Sequence, residues 1–480
     1  MLDEDVVIKS TRNTNETILV YNVLCVLLLP VIFFGGSSEL FMGLFVSLGM
    51  VAPINIINYA YTWNACPGRM VGQMLFYTLP FLAMFGITIW GICNGGFDMY
   101  ELGGFTYYAL STDCANIPIF VGDKPLVAIS DDLARLSAFL CGLSIFMITD
   151  SCYVIRKILI WASAMIVVLM ILGCGIMFMW RFEGTMFADS STDFFSTFPN
   201  SAQWASFAVL WIGASMAMAL FSEQRFRSFQ FFWSVRFACL ASGCVLYLGV
   251  LIAGKLVHEL SASLVMAVGM SVMAFYLLPV KMNLYRHELL LRVSSHTKRL
   301  KKMRVPFVLY GLGAIVFWFM TIISVHEVCK NSQLLYVDEN NDNSITYVEK
   351  MAVVEDTMKM FSEDRKLLGY GSASFPSVFS LYQGSDLGAL PWKSANVDVL
   401  HEYIENGLVG FVFSGLTFLC FFVRWLVKRE FSWPSVVMML AVFCVLGMSL
   451  VEIPFQNIAV IASFWVVSMS AFRWDDAKVK

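Results

Sequence analysis

Three ionisable side chains in the C-terminal third pose the first chemical question. Asp398, His401 and Glu405 lie in SANVDVLHEYIENGLVG (394–410), at spacings i, i+3 and i+7. On a helix these positions share one face. An imidazole with a carboxylate one turn away is a workable general base, because the carboxylate orients and polarises the ring. The same groups would equally mark the water-exposed end of an apolar helix. Upstream lies LLGYGSASFPSVFSLYQ (367–383), in which Gly369, Gly371 and Pro376 break helix and let backbone pass close to a neighbour. Tyr370 and the other rings there suit sugar stacking or interfacial anchoring. Arg365 and Lys366 add positive charge just before the turn.

A second constellation is DENNDNSITYVE (338–349). Asp338, Asn340, Asp342, Ser344 and Glu349 fall at positions 1, 3, 5, 7 and 12 of an EF-hand-like loop. Asn343 replaces the usual Gly, and Asn tolerates the left-handed backbone needed there. Calcium bound here would be structural; a solvated acidic turn is the other reading. The loop leads into residues 346–361, where Tyr347, Met351, Val354, Met358 and Phe361 recur at helical spacing. Such a face suits a bilayer surface or other spans.

The elements that must position these groups are overwhelmingly apolar. Of 480 residues, 58% are hydrophobic and 14% charged, which requires a polytopic membrane protein. A net charge of −3 gives no reason to expect a nucleic-acid partner. About twelve runs reach the ~20 apolar residues that a span needs. They are 18–36, 38–60, 73–93, 134–154, 158–180, 202–221, 233–253, 263–280, 307–325, 406–427, 434–451 and 455–472. The first is expected to be a retained span, since no small-residue cleavage site follows it. The runs divide the chain into an N-terminal membrane region (1–325), a large extracytoplasmic loop (326–405) and a C-terminal three-span region (406–480). Lys and Arg concentrate in short segments on one side, which puts both termini in the cytoplasm. Most cysteines lie in apolar runs; Cys114 and Cys329 fall in outer loops, where a disulfide between them is an open question. The spans carry almost no mid-membrane charge, with Asp150 and Glu452 as the main acidic exceptions, which weighs against an ion-coupled transporter.

The order EDTMKMFSEDRKLLGYGSASFPSVFSLYQ, then SANVDVLHEYIENGLVG, resembles the bacterial O-antigen ligase/polymerase superfamily. That family has a Gly-x-Gly-x-x-Phe turn followed by a His-Asn-Asp-Tyr-Leu-Gln…Glu-x-Gly-x-x-Gly helix. FSTFPNSAQWASFAVLWIG (195–213) and SLVEIPFQNIAVIASFW (449–465) are similar to two further family stretches, in family order. The resemblance implies an all-α membrane glycosyltransferase of the GT-C type in the bacterial inner membrane. Such enzymes move a glycan from an undecaprenyl-pyrophosphate carrier to a hydroxyl of an acceptor glycan or lipid, on the outer face, with no metal or cofactor required. The chemistry needs cations on the leaving pyrophosphate and a base near the acceptor.

Three family positions are changed: Asn396 stands where the family has His, and Ser201 and Ala262 where it has Arg. The resemblance therefore implies His401 as base, oriented by Asp398 or Glu405. Arg181, Arg365 and Lys366 would supply charge, and Asn200, Gln203, Asn396 and Tyr370 would contact substrate. A non-catalytic partner in polysaccharide assembly or export, and a lipid or glycan transporter, are the readings from other classes.

Overall fold

Apolar runs at the length of a bilayer form long helices in the computed structural model, because a helix satisfies its backbone internally. The structure describes residues 2–33, 39–63, 66–94, 97–102, 105–110, 125–183, 196–198, 201–221, 235–257, 347–361, 365–384, 392, 394–427 and 432–477. The helices are α1 (Leu2–Ile32), α2 (Glu39–Gly49), α3 (Val51–Trp63), α4 (Pro67–Asn94), α5 (Pro125–Ile148), α6 (Cys152–Glu183), α7 (Ser201–Phe221) and α8 (Val235–Val257). They continue as α9 (Tyr347–Lys359), α10 (Phe375–Phe379), α11 (Asp398–Val427), α12 (Trp433–Met448) and α13 (Ile458–Trp474). Six stretches are long and apolar enough to cross a membrane: Thr14–Ile32, Phe41–Trp63, Pro67–Cys93, Cys152–Ile176, Ala202–Ala219 and Asp398–Val427. The expected spans 263–280 and 307–325 lie outside the described residues, as does Ala262.

Two features depart from the all-α expectation of uninterrupted spans. The loop after α4 holds an antiparallel hairpin, β1 (Phe97–Leu102) with β2 (Phe105–Leu110), in register from Phe97↔Leu110 to Leu102↔Phe105. The expected span 38–60 remains long and apolar enough to cross a membrane as Phe41–Trp63 but is interrupted at Met50 between α2 and α3, and Pro53 falls in the first turn of α3, where its missing N–H costs nothing.

The chain forms two compact units. One contains residues 149–343, 430–448 and 467–480. At its centre α7 is buried along its whole apolar length, around Trp204, Phe207 and Trp211. A helix apolar all round belongs inside a bundle. Arg473 closes this unit by donating to the Thr149 carbonyl (2.7 Å) and pairing with Asp150 (3.2 Å).

The other unit contains residues 1–148, 344–429 and 449–466. Its central helix is α5, against which α1, α2, α3 and α4 all pack. Phe139 on α5 stacks on Phe81 (4.6 Å) and meets Trp465 edge-on (4.9 Å). The amphipathic helix exists as α9, but its face is rotated. Val353, Asp356, Thr357 and Met360 are buried, while Met358 and Phe361 stay exposed. Burial lifts the Asp356 carboxyl, and the Lys359 ammonium (2.6 Å) with the Gly384 amide (2.7 Å) more than offsets this, so its pKa lies below the ordinary 3.8.

The functional region of this unit is built on a break in α11. Gly407 has φ 62° and ψ −165°, so the helix stops and restarts there. In an unbroken helix Leu408 and Val409 would donate to the carbonyls of Ile404 and Glu405. Instead a turn from 366 to 371 enters the gap. Leu408 N–H donates to Lys366 O (2.8 Å) and Val409 N–H to Leu367 O (3.0 Å). On the other side Tyr370 N–H donates to Ile404 O (2.9 Å) and Gly371 N–H to Glu405 O (2.7 Å). All four groups freed by the break are thereby satisfied. Gly369 also has positive φ, 65°. A Cβ on Gly369 would collide with the Glu405 carbonyl, and one on Gly407 with the Leu367 carbonyl.

Gly369→Ala and Gly407→Ala are each expected to cost about 2 kcal/mol or more, from the left-handed backbone and the collision together. Gly415 lies in the same helix with open space around it. Gly415→Ala is expected to leave the thermal midpoint unchanged or raise it; equal losses at all three positions would contradict the inserted turn. The depressed Asp356 carboxyl contributes stability that is present above its ordinary pKa and lost as pH falls through the lower folded value. Asp356→Asn should therefore flatten the acid limb of a stability–pH curve and leave the neutral limb parallel to wild type.

Candidate functional site

The first half of α11, before the break, carries the polar face expected from its spacing. Asp398 anchors its start. Asp398 N–H donates to the Glu452 carbonyl (3.1 Å), and its Oδ2 accepts from Phe455 N–H (2.7 Å). Its carboxylate thus fastens α11 to the 449–456 turn before α13. Asn396 precedes the helix at φ 58°, a left-handed conformation Asn adopts more readily than most residues. Its Nδ2 is buried with no hydrogen-bond partner among the described residues.

His401 is 4% exposed. Its Nε2 lies 3.5 Å from Glu405 Oε2, and its ring centroid is 5.2 Å from that of Phe375. Glu405 Oε1 accepts the Phe375 N–H (3.1 Å), which ties it to the start of α10. Of the two carboxylates expected to orient the imidazole, the one facing it is Glu405. His401 Nδ1 is buried and has no hydrogen-bond partner among the described residues. A carboxylate facing Nε2 favours the tautomer protonated there, which leaves the Nδ1 lone pair open.

The cation in this region comes from α5. Arg135 pairs with Glu402 at 2.9 Å. Glu402 Oε1 also accepts from Asn406 Nδ2 (3.0 Å) and Ser414 Oγ (3.1 Å). The guanidinium acts electrostatically on Asp131, Asp132, Glu405 and His401 as well. Asp132 Oδ2 accepts from Thr88 Oγ1 on α4 (2.6 Å). A small depression lined by Thr88, Gly91, Gly371, Ser372 and Asn406 opens beside this network. Thr88 and Asn406, the hydrogen-bond partners of Asp132 and Glu402, therefore line its wall.

The remaining expected residues take different places. Arg365 lies over the Tyr370 ring, 5.7 Å from its centroid, and Lys366 is exposed. Tyr370 is buried, and its hydroxyl donates to Met360 O (3.0 Å) and lies 3.4 Å from the Tyr382 hydroxyl. Burial first, then Tyr382, raises its pKa. The ring is part of a core with Val353, Phe375 and Ile404, so it presents no face for stacking a sugar. Gln203 is buried on α7 in the unit centred on that helix. Arg181 is in the last turn of α6, where only the backbone is described. Asn200 lies outside the described residues, as do Cys114, Cys329 and the calcium-loop positions Asp338, Asn340, Asp342 and Ser344; Glu349 is in the first turn of α9. Among the described residues no group of three His, Cys, Asp or Glu could hold a metal ion.

No family model and no curated protein matches this chain.

Sequence reasoning missed Arg135, Glu402, Asn406 and Thr88. The signal was present in part: Asp131, Asp132 and Arg135 interrupt the start of an otherwise apolar run. Glu402 neighbours His401 in sequence but points about 100° around the helix, away from the expected face. Removing one member of the Arg135–Glu402 pair strands the other. Arg135→Met or Glu402→Gln alone should cost about 2–3 kcal/mol, discounted for the partial exposure of both groups. The double variant should cost clearly less than the sum of the two, a coupling that a double-mutant cycle on thermal unfolding reads directly.

Proposed function

We propose that the chain is a membrane glycosyltransferase of the O-antigen ligase/polymerase type. It transfers a glycan from an undecaprenyl-pyrophosphate carrier to a sugar hydroxyl in surface-polysaccharide assembly. The reading places the reaction at the outer face of a bacterial inner membrane, with both termini cytoplasmic, a GT-C-like arrangement of about twelve spans and no metal requirement. The observation that carries it is His401: a buried imidazole with Glu405 at Nε2, an open Nδ1, and the Arg135 guanidinium close by.

In this reading Nδ1 takes the proton from the acceptor hydroxyl as its oxygen attacks the anomeric carbon. The bond from that carbon to the pyrophosphate oxygen breaks, and the electron pair leaves with undecaprenyl pyrophosphate. Glu405 fixes the ring and stabilises the imidazolium that forms. Arg135, released from Glu402 or shared with it, is the first candidate for the departing charge, with Arg365 and Lys366 on the inserted turn as the second.

One observation favours a second reading, a non-catalytic partner in polysaccharide assembly. Five carboxylates, those of Asp131, Asp132, Asp398, Glu402 and Glu405, interact electrostatically with one guanidinium, which pairs directly with Glu402. That excess repels a diphosphate unless some are protonated.

Deletion of the gene, with complementation by point variants, separates the two. An enzyme requires that His401→Ala, present in the membrane at wild-type level, lose about 100-fold or more of glycan transfer. A non-catalytic partner requires that His401→Ala restore surface-glycan length and linkage fully. Glu405→Gln keeps the acceptor for Phe375 N–H but removes the charge on His401, so it should lose less than His401→Ala.

A further inference from the structure

The break in α11 leaves a stretch, Leu408–Val427, that measures about 30 Å, the thickness of a bilayer hydrocarbon core. One face of it is buried through Gly410, Thr417, Phe421 and Trp425. The opposite face exposes Leu408, Phe411, Val412, Leu416, Leu419 and Val423, an apolar stripe fit for acyl chains. The inserted turn is fixed at the upper end of this stretch by the bonds from Leu408 and Val409 to Lys366 and Leu367. Leu367 is 65% exposed, and Lys366 beside it is exposed too. A single exposed leucine on a soluble surface would be unremarked. Here it is held in backbone register with the first residues of an apolar stripe, next to a lysine. An apolar side chain below a basic one is the pattern of a membrane interface, with the ammonium at the headgroup phosphates.

We propose that the Lys366–Leu367 turn is a lipid-docking element. Leu367 enters the acyl layer of the leaflet at the Asp398 end of α11, and Lys366 contacts the phosphate of an anionic phospholipid. The helix break then has a membrane role: it pins a non-spanning turn at the depth where the span begins. The inference rests on the apolar stripe and the hydrogen-bond register, independently of any glycosyl transfer.

The test uses the full chain in vesicles of phosphatidylcholine with a minority of phosphatidylglycerol. The photoreactive residue p-benzoylphenylalanine replaces Leu367 in one sample and Leu419 in another. After irradiation, peptide mass spectrometry is expected to find phospholipid adducts at both positions, with phosphatidylglycerol over-represented at 367. Lys366→Glu should lower that over-representation about fivefold. Lipid adducts at 419 with none at 367 would overturn the proposal, as would a protein–protein cross-link at 367, which would make the turn a contact between chains. Unchanged phosphatidylglycerol preference in Lys366→Glu would overturn the lysine's assignment to the headgroup.

Discussion

The replacement of two helical hydrogen bonds at Gly407 is the constraint on which the site depends. A mid-helix break exposes two donors and two acceptors, and each buried without a partner costs ~1–3 kcal/mol. The 366–371 turn satisfies all of them at once, with four backbone bonds that no side chain can replace. Because the bonds are backbone to backbone, the approach is closer than any Cβ permits, and glycine is required on both sides. This contact brings α9, α10 and the first half of α11 into one apolar core. It also places Phe375 within reach of both His401 and Glu405.

The second organising fact is charge in a buried place. Carboxylates of this density persist only with partners; Asn406 and Ser414 serve Glu402 from its own helix, and other partners come from neighbouring elements of the same unit. Thr88 on α4 serves Asp132, Arg135 on α5 serves Glu402, the Phe375 amide serves Glu405, and the Phe455 amide serves Asp398. Each bond crosses from one element to another, so polar satisfaction and tertiary register are the same thing here. A network of this kind specifies one arrangement more than it adds stability.

Much of the scaffold was legible because apolar length is a strong signal. The runs beginning near residues 18, 73, 158, 202 and 233 all appear as helices. Gly369 and Gly371 read correctly as a close backbone approach, since only geometry of that kind needs glycine so near a helix. The rest depended on tertiary contacts. The buried face of α9 and its end packs Val353 and Met360 into the core, with Asp356 reaching Gly384, and leaves Met358 and Phe361 exposed. Tyr370 looked available for a ligand, yet its hydroxyl finds Met360 and its ring finds the core. Arg135 and Glu402 are separated by most of the chain, and no periodicity links them. The hairpin β1–β2 was signalled by Gly103-Gly104 between the aromatic-rich runs FDMYEL and FTYYAL, a short-hairpin pattern that sequence reasoning missed.

The proposed function turns on His401 Nδ1, which is buried without a hydrogen-bond partner among the described residues. Among the buried hydroxyls of the helices, Thr78, Ser144 and Ser206 bond a carbonyl three or four residues back, whereas Ser137, Ser163, Ser215, Thr417, Ser468 and Ser470 have, like His401 Nδ1, no hydrogen-bond partner among the described residues. In His401 the unmet nitrogen is Nδ1, the one nearer its own backbone, while the far nitrogen, Nε2, faces Glu405. A purely structural residue at 401 would be better served by an apolar side chain packed on Phe375. In the proposed reading the ring turns Nε2 to Glu405 and keeps Nδ1 unmet in a buried place for a substrate. The partner in that reading is transient, and a hydroxyl presenting its proton is one that a neutral imidazole can take.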